Sequence, residues 1–298
     1  MSEILLQAKQ ISKHFGGVTA LDKVDLTIKK GEIHCLMGEN GCGKSTLIKI
    51  ISGFYRPDGG SITFEGKEYE RLSIAESIGL GIQVIYQDMS IFPNLTVAEN
   101  IAINNELYNH RKLVNWKSVK SIAKEALDHI GIELPLQAVV GELSVADKQL
   151  IAVARAILNN SKLIIMDEPT SALTRKEVDK LFKVIRQLQK EGISTLFVSH
   201  KLDEVFEIAD QFTVFRNGKL VVADSAKNIN DEQFVYYMTG RKLEEAAFTP
   251  EKIDHDRAIL KVENLGLTNG FEKISFEIHP GEILGITGLL GSGRTELA

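Results

Sequence analysis

"GENGCGKS", residues 38–45, decides how the rest of this 298-residue chain is read. Glycines in such a loop let the backbone wrap around an oxyanion, with successive amides pointing inward toward its charge. The residues before it, "IHCLM" at 33–37, are apolar throughout, as in a buried strand; Leu47, Ile48, Ile50 and Ile51 after it mark a helix ending near Gly53. Strand, loop and helix together satisfy the phosphate-loop pattern G-x-x-x-x-G-K-[ST] in full. The helix beginning near Lys44 adds its unpaired N-terminal amides. Lys44 is placed to reach the β- and γ-phosphates of a nucleotide, and the Ser45 hydroxyl to ligate Mg²⁺. Gly38, Glu39, Asn40, Gly41, Cys42, Gly43, Lys44, Ser45 and Thr46 are therefore the expected nucleotide-binding residues. A glycine-rich turn matching by chance would not sit between a buried strand and a helix.

Two further stretches carry chemistry. "LIIMDEPT", residues 163–170, ends an apolar strand on Asp167 and Glu168. Asp167 is the expected partner of a bound Mg²⁺, and Glu168 the candidate to polarise water for in-line attack on a γ-phosphate. "LFVSH", residues 196–200, ends on His200, which is placed to reach that phosphate or orient the water. Cys42, inside the loop, reads either as a thiol activated by the surrounding amides or as a side chain turned away and inert.

Around these motifs, "ILLQAKQISKHF" and "LDKVDLTIKKG" alternate apolar and polar residues, which predicts an antiparallel sheet region at the start. Val119, Ile122, Ala123, Ala126, Leu127 and Ile130 recur at helical spacing, and a second helix starting near Arg175 buries Val178, Leu181, Phe182, Ile185 and Leu188. The strands flanking that second helix are apolar throughout, as parallel strands covered on both faces are. Residues 1–240 thus read as an α/β domain, and the polar stretch at 241–257 as a linker.

After the linker the opening pattern returns. "ILLQAKQIS" matches "AILKVENLG", and "VDLTIKKGEIHCLMGENGCGKSTL" matches "ISFEIHPGEILGITGLLGSGRTEL". Gly31 pairs with Gly281 (281 − 31 = 250), Lys44 with Arg294, and upstream Leu6 with Leu260 (260 − 6 = 254). This is a repeat of domain size. Residues 258–298 then read as the N-terminal part of a second copy. Its loop contains Gly288, Gly291, Gly293, Arg294 and Thr295, with arginine where the first copy has lysine. Arginine keeps the charge, but its planar fork is not equivalent to an ammonium. The second loop is therefore expected to be degenerate, and the chain to be a fragment that stops early in that second copy.

Composition bounds the rest. Lys plus Arg is 35 against 40 for Asp plus Glu, a formal charge of −5, which argues against a broad nucleic-acid-coating surface. Apolar runs are strand-sized and far short of a bilayer span, and the first residues lack the features of a secretory signal. With only Cys35 and Cys42, a disulfide scaffold is not expected.

The phosphate loop, "MDEPT" and "FVSH" at these spacings resemble the ATPase domain of ABC transporters, and the resemblance covers nearly the whole chain. It implies an α/β P-loop NTPase fold with an N-terminal antiparallel β subdomain and a helical subdomain, binding ATP and Mg²⁺. By the same resemblance Phe15 would stack on adenine with Val18 nearby. Gln87 would contact Mg²⁺ and the attacking water, making it catalytic with Lys44, Glu168 and His200. Ser45, Gln87 and Asp167 are the implied metal-site residues, and Ser90–Asn100 would face a membrane partner. "SALT", Ser171–Thr174, matches a loop that communicates between two ATPase domains, with Thr174 where aspartate is usual.

The family's signature LSGGQ is here "LSVAD": Leu143, Ser144, Val145, Ala146 and Asp147. Ser144 and the following amides would bind the γ-phosphate held by the opposite ATPase half. Ala146 is expected to crowd that approach, and Asp147 to add negative charge beside phosphate. The tandem layout, "IFPNLTVAENI" and "GRKLEE" look like the ATP-binding subunits of bacterial importers of ribose, galactose, xylose or arabinose. Implied partners are integral membrane permease subunits, an extracytoplasmic sugar-binding protein acting indirectly, and a second ATPase half or a homodimer partner. Direct nucleic-acid contact is not expected, and the implied place is the cytoplasmic side of the bacterial cell membrane. The competing reading is a non-transport tandem ATPase acting on ribosomes or nucleic acid. Such proteins commonly carry long charged insertions between their halves, where this chain has a short linker.

Overall fold

The computed structural model describes residues 3–108, 114–241, 257–268, 270–288 and 292–298, with the backbone alone for 104–108. Gly291 lies outside the described residues, as does most of the 241–257 stretch. The chain divides into two compact units, Met1–Leu243 and Glu244–Ala298.

The first unit opens with long antiparallel strands, β1 (Ile4–Phe15) and β2 (Val18–Lys29), and then β3 (Ile33–Met37), which runs into the phosphate loop and α1 (Lys44–Ile51). β4 (Gly59–Phe64), β5 (Lys67–Tyr69), α2 (Ile74–Gly79) and β6 (Ile82–Ile85) follow. Three helices come next: α3 (Val97–Tyr108), α4 (Trp116–His129) and α5 (Val145–Ile157). β7 (Leu163–Asp167), α6 (Arg175–Lys190), β8 (Ser194–Val198), α7 (Leu202–Ile208), β9 (Gln211–Arg216), β10 (Lys219–Ser225) and α8 (Asp231–Thr239) complete the unit. The expected helices over 117–130 and from Arg175 fall on α4 and α6.

Two sheets result. β2-β1-β4-β5 is a four-stranded antiparallel sheet, and β10-β9-β3-β8-β7-β6 a six-stranded one whose β9, β3, β8, β7 and β6 run parallel. Alternation along its strands supplies two cores. Ile33, Cys35 and Met37 of β3, with Ile164, Met166 and Phe197, face the helices on one side. Leu36 of β3, with Leu163, Ile165, Leu196 and Val198, faces α1 and the antiparallel sheet on the other. Coverage on both faces explains why these strands are apolar throughout.

The second unit holds β11 (Leu260–Leu267), β12 (Phe271–Ile278) and the short α9 (Arg294–Leu297). Its ribbon repeats the first one pair for pair. Leu6↔Ile28, Ala8↔Leu26 and Ile11↔Val24 in β1–β2 correspond to Leu260↔Ile278, Val262↔Phe276 and Leu265↔Ile274 in β11–β12. The left-handed bulge residues Gln10 and Lys23 (φ 51° each) recur as Asn264 (φ 50°) and Lys273 (φ 56°). Even the side-chain bond closing the bulge is kept: Gln10 N–H donates to Asp25, and Asn264 N–H to Ser275.

Candidate nucleotide site

In the six-stranded sheet β3 lies between β9 and β8, so the loop after it emerges at the middle of the carboxyl edge, where open α/β sheets bind ligands. Register brings the other motifs to the same edge. Leu36 and Asp167 both pair with Val198, and Ile85 pairs with Met166. The ends of β7, β8 and β6, which lead into Asp167 and Glu168, His200, and Gln87, therefore lie along the same carboxyl edge as the loop that carries Lys44.

The loop is built around Gly43, at φ 106°. A Cβ there would lie 2.5 Å from the Ala20 carbonyl oxygen and 2.6 Å from Leu21, so no other residue fits without displacing β2. Gly41, at φ 82°, faces open space within 4 Å. α1 starts at Lys44, so the amides of Lys44, Ser45 and Thr46 have no carbonyl of their own helix to pair with. Lys44 is buried; its Nζ donates to the carbonyl oxygens of Gly38 (2.6 Å) and Glu39 (3.0 Å). The ammonium is thus held against its own loop, with no carboxylate among those partners.

Ser45 Oγ lies 3.5 Å from Asp167 Oδ2. Burial, then the adjacent Glu168 charge, pushes the Asp167 pKa up, against the opposing pull of Lys44 and Ser45. Hydroxyl and carboxylate oxygens of this kind suit Mg²⁺, which usually binds one or two protein groups plus phosphate oxygens. Among the described residues no group of three or more His, Cys, Asp or Glu is placed to hold a metal ion. Glu168 has a left-handed backbone, φ 48°, and its N–H donates to the Val198 carbonyl at 3.2 Å. Strained backbone of this sort is concentrated at active sites. His200 Nδ1 stands 3.4 Å from Glu168 Oε1. Gln87 is exposed in the turn after β6.

Other expected residues fall less simply. Phe15 (41 % exposed) and Val18 (66 %) face each other across the β1–β2 turn, and Phe15 packs edge-to-face on Tyr55 at 5.2 Å between centroids. Nothing local in the sequence marks Tyr55, because its pairing with Phe15 spans forty residues (55 − 15 = 40). Cys42 is buried, its Sγ 3.8 Å from Lys44 Nζ; burial pushes its pKa up, which disfavours the activated-thiol alternative. Asn100, at the end of the stretch expected to face a partner, is instead fully buried and bonds the backbone of that stretch. Thr174 caps α6 in a box with Glu177.

Ala146, expected to crowd the approach of a phosphate, is 7 % exposed at the second helical position of α5, while Val145 is 40 % exposed. Ser144 caps α5, accepting from the Asp147 N–H (3.1 Å) and donating to Asp147 Oδ2 (2.8 Å). Asp147 thus occupies the hydroxyl that would donate to a phosphate. In the second loop, Gly288 is described without regular structure, Gly293 has φ 83°, and Arg294 and Thr295 are exposed at the start of α9.

A phosphate loop on the central parallel strand, with an acidic strand end beside it, defines a P-loop nucleoside triphosphatase of the ATP-binding cassette type. The ABC transporter family model matches residues 21–171, and the chain belongs to that family. It is 45 % identical over 98 % of its length to the putative ribose/galactose/methyl galactoside import ATP-binding protein of Halalkalibacterium halodurans, covering 56 % of that protein. To the ribose import ATP-binding protein RbsA of Caldanaerobacter subterraneus it is 42 % identical over 99 % of its length, covering 60 %. The chain therefore spans little more than half the length of these relatives. Among solved structures, an ATP-binding cassette of an ABC transporter in its ADP conformation superposes with a TM-score of 0.71 at 28 % identity, covering 79 % of this chain and 98 % of that one. A dimeric cassette bound to ADP and Pi gives 0.66 at 25 % identity, covering 76 % and 100 %.

Proposed function

We propose that this chain is the nucleotide-hydrolysing part of an energy-coupling subunit for monosaccharide import across a bacterial membrane. In this reading residues 1–240 are a first ATPase domain, 241–257 a linker, and 258–298 the start of a second domain. The observation that carries it is the gathering of Lys44, Ser45, Asp167, Glu168, His200 and Gln87 at one sheet edge, in a chain whose relatives are named for ribose and galactose import.

The α1 amides and the loop amides cradle the phosphates of ATP, and Lys44 leaves the Gly38 and Glu39 carbonyls to neutralise the β- and γ-phosphates. Ser45, Asp167 and Gln87 would hold Mg²⁺, whose charge, when bound, offsets that of the phosphates. Glu168 polarises the attacking water, and His200 holds Glu168 and the γ-phosphate in line. Phe15 supplies an exposed ring for adenine. Ser144 and the amides of α5 serve the nucleotide of a second ATPase half or a homodimer partner, after Asp147 gives up the serine hydroxyl.

The subunit works from the cytoplasmic side. Among the described residues no helix is long and apolar enough to cross a membrane. A permease would dock on the helical region, where exposed Val114 and Trp116 border an apolar depression of about 160 Å³ with Leu95, Ile103 and Val119. The extracytoplasmic sugar-binding protein would act through that permease. The test is ATP hydrolysis by the complete subunit reconstituted with its permease and binding protein across a panel of monosaccharides. Stimulation by one sugar class is expected; stimulation by ribosomes, with none by any sugar, would overturn the assignment.

A further inference from the structure

Arg155 lies on α5, whose N-cap is Ser144 of the signature segment, about three helical turns further along. Its guanidinium reaches away from α5 to the turn after β6. Nη1 donates to the Ser90 carbonyl at 2.9 Å and Nη2 to the Met89 carbonyl at 3.1 Å. Both acceptor residues have left-handed backbones, φ 57° at Met89 and 44° at Ser90. Side chains other than glycine rarely adopt that conformation, and then as single residues. The turn itself is closed by the Met89 N–H on the Tyr86 carbonyl at 2.7 Å, with Gln87 inside it. Beyond the turn, Asn100 of α3 accepts from the Phe92 N–H and donates to the carbonyls of Phe92 and Thr96. The Gln87 turn is therefore anchored on one side to α5 and on the other to α3.

The cation at this point is unusual. Burial pushes the Arg155 pKa down, and among the described residues no carboxylate charge opposes that effect. A desolvated cation held only by main-chain carbonyls is costly to place. Its planar fork matches two consecutive carbonyls in a way that a lysine ammonium does not.

We propose that Arg155 is a positioning residue that locks the strained Gln87 turn to the signature helix α5, so that Gln87 and Ser144 move as one piece when nucleotide binds. The inference rests on the proposed place of Gln87 at the phosphate site. Gln87 would sense the nucleotide on its own domain and Ser144 the nucleotide on the opposite half, so a rigid tie between them couples the two sites through a contiguous element.

Amide hydrogen exchange of the chain, with MgADP and with MgATP, tests it alongside nucleotide affinity. In R155K the charge remains but the paired hydrogen bonds to the Met89 and Ser90 carbonyls do not. Exchange at 86–92 should rise about tenfold or more, a local opening rather than a global one. The ATP-versus-ADP difference at the first turn of α5 should vanish while MgATP affinity stays within about threefold. Wild-type exchange at 86–92 in R155K would overturn the proposal, as would an equal rise throughout α5 and β7, which marks general loosening. Adding S90G to R155K removes one left-handed penalty and should recover part of the protection; no recovery would refute the strain that Arg155 is said to hold. Q87A keeps the clamp, so the turn should stay protected while the ATP-versus-ADP difference is lost. Persistence of that difference in Q87A would sink the reading of Gln87 itself, independently of the R155K result.

Discussion

In the first copy of the repeat, Ile33–Met37 is a strand buried along its whole length; the matching residues of the second copy, 283–287, form no strand and leave Ile283 79 % and Ile286 47 % exposed. The ribbons that precede them behave oppositely, since β1–β2 and β11–β12 share register, bulges and bulge-closing bonds. An antiparallel ribbon is specified by residues close in sequence, through its turn and its left-handed bulges. A parallel strand needs neighbours brought from far away. Ile33 pairs with Thr195, and Met37 with Val214. Among the described residues the unit Glu244–Ala298 contains no counterpart of β8 or β9. A phosphate loop is thus a local motif set on a non-local platform.

The sharpest break between the copies is catalytic. Among the described residues only the first loop has an acidic strand end and a histidine on the same sheet edge, so Glu168→Gln should remove hydrolysis by this chain. Loss of a general base costs about 10²–10⁴-fold in turnover, with MgATP affinity retained. Phosphate release measured on purified E168Q decides it: turnover within about tenfold of wild type would mean that Glu168 is not the general base. Binding should divide the same way. Lys44→Ala should weaken MgATP binding by about 10- to 100-fold, the worth of a charge-assisted hydrogen bond. Arg294→Ala should leave the affinity within about twofold, as an exposed charge on a short helix contributes little. A nucleotide titration showing the larger loss in R294A would reverse the ranking of the two loops.

Backbone strain sharpens the comparison at a third level. Gly43 and Gly293 are equivalent and both left-handed, but a Cβ on Gly43 meets the Ala20 carbonyl at 2.5 Å whereas one on Gly293 comes no closer than 3.4 Å to Phe271. Gly43→Ala should therefore cost about 2–5 kcal/mol, from the left-handed penalty plus overpacking. Gly293→Ala should cost only the conformational part, about 1–2 kcal/mol. Denaturant unfolding of the two variants gives both numbers, and equal losses would mean that packing against β2 does not support the first loop.

Sequence reading reached the groups whose chemistry is announced by their neighbours: the glycine loop, the acidic end of "LIIMDE", the histidine ending "LFVSH". Each is a short motif at a strand end, and the strand pattern alone predicts where it emerges. What it missed depends on side-chain direction. Ala146 is expected from the motif to crowd a phosphate's approach, and the motif does not show that the helix buries it. Asp147 was read as a bare charge, yet it is the partner of Ser144. Arg155 is one cation among the polar residues of a helix; nothing in "AVARAI" announces that two left-handed carbonyls lie across from it. Asn100 shows the one usable signal, a polar residue on an otherwise apolar helical face, where burial demands partners.

The smallest expected differences concern the ribbons and have opposite signs in pH. In the first copy the Lys13 ammonium and the His14 N–H hold the Asp58 carboxyl at about 2, below its ordinary 3.8. A lowered carboxyl contributes stability above its unfolded pKa and loses it as pH falls, here between about 4 and 2. In the second copy Glu277 and Glu263 raise Lys261 to about 12 from 10.5, so its contribution is complete below about 10.5 and lost as pH rises through 12. Both groups are exposed, so each effect is small and screened by salt. Thermal melts should find D58N less sensitive than wild type between pH 4 and 2 but unchanged at alkaline pH, with K261M showing the reverse. If D58N loses stability as steeply as wild type on acidification, the acid sensitivity lies elsewhere in the first unit and the two ribbons differ in charge pairing without differing in response.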